Sequence, residues 1–242
     1  MDMLNLLIAF GDGAGVLWIL IAISVAMPLV IIFTIIYVVA VREKKRTARL
    51  EGVVGEMGLE FRPAGDEQLL GRLGGFPLMN VGRKQELKNL VVGDTSQGKL
   101  AMFDFRYITG HGKHQKTRRQ TVIAMEAAEL EQLPSFNMRP EGFWDRVGGA
   151  FGMQDVDFDE HADFSAKFLL KGEDEESLRA LMDKELLDFF ADRPDLCCEG
   201  RSGVFLYYRR YKRVSPESHL LEGFLEEGMM VFLALLERQM RG

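Results

Sequence analysis

Cysteine is scarce in this chain and placed where it can staple nothing. The two cysteines among 242 residues are neighbours, Cys197 and Cys198. Adjacent residues close no loop worth cross-linking, which excludes a small disulfide scaffold. Basic residues are missing from the first 41 positions, whose only charges are Asp2 and Asp12. A secretory leader needs a cationic start, so a cleaved signal peptide is disfavoured. The sequence also lacks CxxC, GxSxG and a paired-histidine helix motif, the usual signatures of thiol redox, serine hydrolase and zinc protease chemistry. No internal repeat or low-complexity linker stands out. With 47% hydrophobic and 27% charged residues and a net charge of -6, the composition is that of a globular protein, neither collagen-like nor wholly disordered.

What is present is uneven. Residues 16 to 41 read VLWILIAISVAMPLVIIFTIIYVVAV, 26 positions without a charge. That run passes the length test for a membrane-spanning helix. At ~1.5 Å per residue it is roughly 39 Å long against a hydrocarbon core of about 30 Å, so tilt or interfacial ends are expected. Trp18 and Tyr37 stand near its two ends, where amphipathic rings prefer the headgroup level. Pro28, mid-run, removes a backbone donor and crowds the carbonyl of Ser24, which predicts a kink. Directly after the run come Arg42, Lys44, Lys45, Arg46 and Arg49 against Glu43, a net of +4, which leaves -8 on residues 51 to 242. By the positive-inside rule the basic flank stays in the cytoplasm, with residues 1 to 15 outside the inner membrane and everything after Val41 inside. Reduced thiols follow from that compartment, and Cys197 and Cys198 read as small buried hydrophobes.

Past the basic cluster, Leu50, Val53, Val54 and Met57 recur at helical spacing, so residues 42 to 60 are read as a juxtamembrane helix that Gly58 ends. Residues 61 to 213 are read as one α+β domain. A short helix is expected over 66 to 73, before the breaker Gly74-Gly75-Phe76-Pro77. Strands are expected at 87 to 92, 99 to 108 and 117 to 125, with turns at 93 to 98 and 109 to 116, as a half-buried antiparallel meander. In the middle strand Ala101, Phe103, Phe105 and Tyr107 share one face; Leu100, Met102, Asp104 and Arg106 share the other. A short strand is expected over 134 to 138, and a short helix opens at Pro140 and Glu141, carries Phe143, Trp144 and Val147 and closes at Gly148-Gly149. Residues 164 to 170 alternate as a strand. Asp174 caps a helix to about residue 191, and residues 197 to 199 and 204 to 211 form a hairpin around 200 to 203. Ser215-Pro216-Glu217 starts a last helix that fills residues 214 to 242, to about Met240. Its apolar stretch 229 to 236 is too short to span a bilayer. It is either wedged in the core, the favoured reading, or covers a partner.

Three constellations carry potential chemistry. The turn 109 to 119 holds Lys113, Lys116, Arg118 and Arg119 beside His111 and His114. Gly110-His-Gly112-Lys113 has a superficial likeness to a phosphate loop, but the spacing is incomplete and no helix follows. The turn is a solvated hairpin tip or, as the functional reading, a docking finger for an anionic surface. His111 and His114 lack a third metal ligand nearby. Asp155, Asp157 and Asp159 alternate with Val156 and Phe158, followed by Glu160, His161 and Asp163. Glu160 and Ala166 stand where a calcium loop needs glycine and glutamate, so that motif fails and an edge strand with outward carboxylates is the better reading. The third is the basic flank itself: Arg42, Lys44, Lys45, Arg46 and Arg49, with Lys113, Lys116, Arg118 and Arg119, are the candidate contacts to anionic surfaces, each contributing on the order of 1 kcal/mol near an anionic leaflet.

The stretches Gly58-Leu-Glu-Phe61, Phe103-Asp-Phe-Arg-Tyr107 with Gly110-His-Gly-Lys113, Arg139-Pro-Glu141 and Gln154-Asp-Val-Asp-Phe158 resemble an uncharacterised family of bacterial single-pass membrane proteins, over roughly residues 43 to 213. The resemblance implies a cytoplasmic α+β domain at the bacterial inner membrane and assigns no catalytic residue. The expected function is therefore a membrane-tethered interaction or accessory module with the lipid bilayer as partner, together with another membrane protein or complex. No catalytic set, metal, cofactor or nucleic-acid partner is expected. The alternative is a ligand-binding or hydrolytic enzyme using Asp155, Asp157, His161 or His111 around a cleft, which requires those groups to converge in space.

Overall fold

The computed structural model describes residues 13 to 141 and 152 to 241. The chain divides after Ala48 into an N-terminal unit and a larger one beginning at Arg49. The uncharged run lies in helix α1, Gly13–Glu56, with Pro28 inside it. The hydroxyls of Ser24 and Thr34 donate to the carbonyls of Ile21 and Val30, 2.7 Å in each case, so these two polar groups are satisfied within the helix, as a water-free environment demands. Large apolar side chains are exposed all along the run, Phe33 at 69% and Tyr37 at 70%. Among the described residues this is the one helix long and apolar enough to cross a membrane, with a mean hydropathy of 2.9 over its best window. A helix apolar all round that hides none of that surface in its own fold belongs in lipid.

In the larger unit, the end of α1 is set by glycine. Gly58 adopts φ +72°, its N–H donates to Gly55 O at 3.2 Å, and the Leu59 N–H donates to Val54 O at 3.2 Å, the paired bonds of a Schellman motif. Leu50 and Val54 are buried there.

Among the described residues nine strands form one sheet: β1 Glu60–Arg62, β2 Arg83–Thr95, β3 Gly98–Thr109, β4 Lys116–Glu126, β5 Phe136–Pro140, β6 Gln154–Asp155, β7 Phe168–Gly172, β8 Leu196–Arg201 and β9 Val204–Arg209. Their spatial order is β1-β2-β3-β4-β9-β8-β5-β7-β6, and each neighbouring pair is antiparallel. The helices are α2 Glu67–Arg72, α3 Ala162–Ser165, α4 Glu175–Leu181, α5 Lys184–Ala191 and α6 Ser218–Arg241. The fold is α+β: an N-terminal apolar helix, an antiparallel sheet and flanking helices.

Several expectations needed correction. The meander is not half-buried. On β3, Phe103, Phe105 and Tyr107 pack with Leu69, Leu73, Phe76 and Leu78 from the segment that follows β1. Leu100 and Met102 pack on the opposite face with Val231, Phe232 and Leu235 of α6. The sheet is thus covered on both sides, and alternation no longer separates core from solvent. Strand β2 is 13 residues long and slips register between Arg83 and Glu86 and between Lys88 and Val91. Lys84 and Asn89 take positive φ within those irregularities. Bulges that reverse the facing of side chains explain why the sequence alternates poorly there.

The stretch 164 to 170 is not one strand, because α3 occupies Ala162–Ser165 and β7 starts at Phe168. The helix expected over 174 to 191 is two helices. Asp183 supplies a second cap, its carboxylate accepting from the Leu186 N–H at 2.8 Å. Asp183→Ala should lower the melting midpoint by about 2–4 °C, the equivalent of roughly 1 kcal/mol of lost capping in a unit of this size; a thermal scan showing no shift would mean the break between α4 and α5 does not depend on this side chain. Helix α6 begins at Ser218, three residues beyond the expected capping serine. The short helix expected after Pro140 lies outside the described residues.

Candidate functional site

The basic finger is a built hairpin. Strands β3 and β4 pair from Lys99↔Glu126 to Thr109↔Lys116, and a 3-10 turn at Gly112–His114 closes the tip. Gly110 sits at φ +72°, and a Cβ there would stand 2.4 Å from the His114 carbonyl oxygen, a close approach only glycine allows. Arg83 of β2 clasps the tip, donating Nη1–H to Gly110 O at 2.6 Å and Nη2–H to Gln115 Oε1 at 2.9 Å. His111, Lys113, His114 and Lys116 are exposed, whereas Arg118 and Arg119 are half-buried. The Arg118 guanidinium lies 4.0 Å from the Tyr211 ring centroid, and Arg210 lies 4.5 Å from the same ring. Tyr211 is held at φ +57° by its N–H donating to the buried Gln120 Oε1 at 3.1 Å. The structure therefore separates the four expected cations. Lys113 and Lys116 stand at the tip, and Arg118 and Arg119 are set back toward the sheet. On α1, Arg42, Lys44, Lys45 and Arg49 are exposed and Arg46 is withdrawn from solvent.

The acidic segment alternates in burial as expected, but the edge strand β6 holds only Gln154–Asp155, and residues 156 to 159 continue beyond it outside any strand. Val156 and Phe158 are buried while Asp155, Asp157 and Asp159 face out. Asp155 pairs with Lys171 at 2.5 Å. His161 is occupied structurally: its Nδ1 accepts from the Phe164 N–H at 3.3 Å, capping α3, and its Nε2 meets Asp188 Oδ1 at 2.8 Å. With Nδ1 accepting, Nε2 carries the proton and donates. His161 and Asp157 share an open depression with Arg179 and Lys184, but Asp155 is tied to Lys171. His111 lies on the β3–β4 turn, five strands from β6 in the sheet order, or roughly 24 Å at ~4.8 Å per strand. The groups proposed for an enzyme do not converge. Among the described residues, no group of three or more His, Cys, Asp or Glu side chains is placed to hold a metal ion.

The sequence reading missed two features. The first is Glu199, a fully buried carboxylate on β8. Its Oε1 accepts from the Leu78 N–H at 3.1 Å, Asn137 Nδ2–H at 2.9 Å and Tyr208 Oη–H at 2.8 Å. Burial pushes its carboxyl up to about 7, partly offset by these donors and by the nearby Arg139 charge. Its neighbour Cys197 is pushed up to about 12, chiefly by burial, so that thiol stays protonated and inert. The available signal was a charged residue inside the Leu-Cys-Cys-Glu-Gly run of an otherwise apolar strand.

The second is a slot of about 600 Å³ between α2 and the sheet. Its floor is a cross-strand row, Val92 opposite Ala101 opposite Ala124, where two small side chains leave room. Leu69, Leu73 and Leu90 form one wall with Val204 near the end. The next row is charged and alternates in sign: Asp94 opposite Lys99 opposite Glu126. Arg72 of α2 reaches Glu126 at 3.5 Å, and across the mouth Arg62 pairs with Glu60 at 2.7 Å and Asp66 at 3.6 Å. Cross-strand contacts of this kind join residues far apart in sequence, so no spacing motif announces them.

No protein-family model matches the chain, and no curated protein sequence does. Among solved structures, the fold is similar to the crystal structure of the mycobacterial trehalose monomycolate transport factor A, TtfA, with a TM-score of 0.55 at 13% sequence identity, covering 80% of this chain and 93% of that one. At that identity the likeness is one of fold: the chain shares the α+β architecture of a transport factor.

Proposed function

We propose that this chain is a membrane-tethered accessory module, one of the bacterial single-pass proteins its motifs resemble, with its N-terminus outside the inner membrane and its sheet domain in the cytoplasm. The observation that carries the reading is the exposed, uncharged run of α1, long and apolar enough to cross a membrane, joined to a folded unit. The +4 flank after Val41 supports the orientation. The name of the structural neighbour, a transport factor, supports an assisting role beside a membrane transport complex over a catalytic one. A reporter fused to the C-terminus should be active only in the cytoplasm, and the chain purified in mild detergent should carry a second membrane protein. A periplasmic signal, or a chain that is freely soluble, refutes the reading.

The basic tip supplies a further contact. Lys113 and Lys116 project from a hairpin clasped by Arg83, so little ordering entropy is lost on docking. With a dye on His114→Cys and the full chain in vesicles, emission should shift when phosphatidylglycerol replaces phosphatidylcholine. Lys113→Glu with Lys116→Glu should abolish the shift and weaken the contact by at least about 2 kcal/mol, since each cation contributes about 1 kcal/mol at an anionic leaflet. An unchanged shift in the double variant removes the tip from the contact.

A further inference from the structure

The slot between α2 and the sheet has an unusual division of chemistry. Its floor and wall are aliphatic: Val92, Ala101, Ala124, Leu69, Leu73 and Leu90. Among the described residues no aromatic ring lines it, so a flat ligand finds nothing there to stack on. Among the described residues no serine, threonine, cysteine or histidine lines it either, so it offers no hydroxyl, thiol or imidazole and few neutral hydrogen-bonding groups. Every strongly polar lining group is an ion at the rim: the carboxylates of Glu60, Asp66, Asp94 and Glu126, and the cations Arg62, Arg72 and Lys99. A ligand complementary to this surface has an aliphatic body and a headgroup carrying charges of both signs.

We propose that the slot binds a membrane phospholipid, with one acyl chain over the Ala101–Ala124 floor and a zwitterionic headgroup on the ionic rim. A headgroup phosphate answers Arg62, Arg72 or Lys99, and a headgroup ammonium answers the carboxylates. Arg62 and Arg72 are already paired with rim carboxylates, but they are about half exposed or more, at 46% and 64%, and exchanging such surface pairs for new ones costs little. The volume lies within the range of small-molecule sites and exceeds what one side chain of a partner would fill. The acyl chain exchanges bilayer hydrocarbon for an equally apolar floor, a nearly even transfer, so contact with the close-packed wall and the headgroup's pairing with the rim ions supply the preference for the slot. The inference rests on the membrane-tethered reading, because the chain's own apolar helix is what keeps it among lipids.

The test uses the full chain in vesicles containing phosphatidylethanolamine with a diazirine on the acyl chain, followed by illumination and peptide mapping. Adducts are expected in two places, on the apolar run 16 to 41 and on the slot peptides carrying Leu69, Leu73 and Ala101. Ala101→Leu, which fills the floor, should cut the slot adducts by about tenfold, the effect of roughly 1.4 kcal/mol, and leave those on the apolar run unchanged. Val204→Trp, at the other end of the slot, provides a second filling variant should the first not fold. Labelling of the apolar run alone overturns the proposal while the tethered reading stands; no labelling of the run overturns the tethered reading as well. Persistent slot labelling in a folded filling variant, or equal labelling by a phosphatidylglycerol probe, also overturns it.

Discussion

Replacing Phe232 with alanine should lower the unfolding free energy of the sheet domain by about 4 kcal/mol, the cost of truncating a buried ring. Phe232 is fully buried on α6 and lies 6.3 Å from the Phe205 ring of β9. Around it Val231, Leu235 and Leu236 are buried in the same cluster. Two residues of the same apolar stretch behave differently, since Met230 and Leu233 are 47% and 40% exposed. Leu233→Ala should therefore change stability by under about 1 kcal/mol. The pair, measured by chemical denaturation of the full chain in detergent, separates the two readings of this helix. A small loss in Phe232→Ala would mean that α6 is a detachable partner-binding element, with the sheet stable in its absence. A loss near the expected value is a large share of the 5–15 kcal/mol typical of a domain.

Stability should also fall as pH rises toward neutrality, because of Glu199. Its carboxyl is pushed up from 4.5 to about 7 by complete burial. Below pH 4.5 the group is protonated in both folded and unfolded chains and costs nothing. Between there and about 7, the unfolded chain loses its proton while the folded one retains it, so the unfolded state binds fewer protons and stability declines with pH. At about 1.4 kcal/mol per unit of displacement, the total loss is about 3 kcal/mol, complete above neutrality. Glu199→Gln keeps an acceptor for Leu78, Asn137 and Tyr208 but cannot ionise. It should flatten that window and match or exceed the wild type at pH 8. Glu199→Ala should cost several kcal/mol at any pH, since it strands three buried donors, and it should loosen the Pro77–Asn80 turn that the Leu78 N–H anchors. A wild type whose stability is level from pH 4.5 to 7 contradicts this account.

The legibility of the candidate sites followed the range of the interactions that build them. The acidic segment was readable because Val156 and Phe158 alternate with three aspartates over five residues. A short helix from residue 66 was readable, and its start is local: Asp66 accepts from backbone N–H groups two and three residues away. His161 was readable as a reactive candidate only until the structure showed both ring nitrogens occupied, Nδ1 by the local Phe164 N–H and Nε2 by the tertiary contact to Asp188. Glu199 contacts Leu78 across 121 positions and Asn137 across 62, distances at which no local pattern survives. The slot floor joins Val92, Ala101 and Ala124, and the two alanines would pass for filler in any one-dimensional reading.

By itself the chain's order of residues determined the long apolar helix, the basic flank, the antiparallel β3–β4 hairpin, the α+β class and the unpaired cysteines. Each of these depends on composition or on contacts within a few residues, where hydrophobic length and turn chemistry suffice. Only the tertiary structure decided that β5 leaves β4 to join β8, that both faces of the sheet are covered, that α6 lies against the core, that a carboxylate sits wholly buried on β8, and that an aliphatic slot with an ionic rim opens over β2, β3 and β4. Those outcomes depend on which distant surfaces come to exclude water together, and burial of that kind is a property of the assembled sheet and helices.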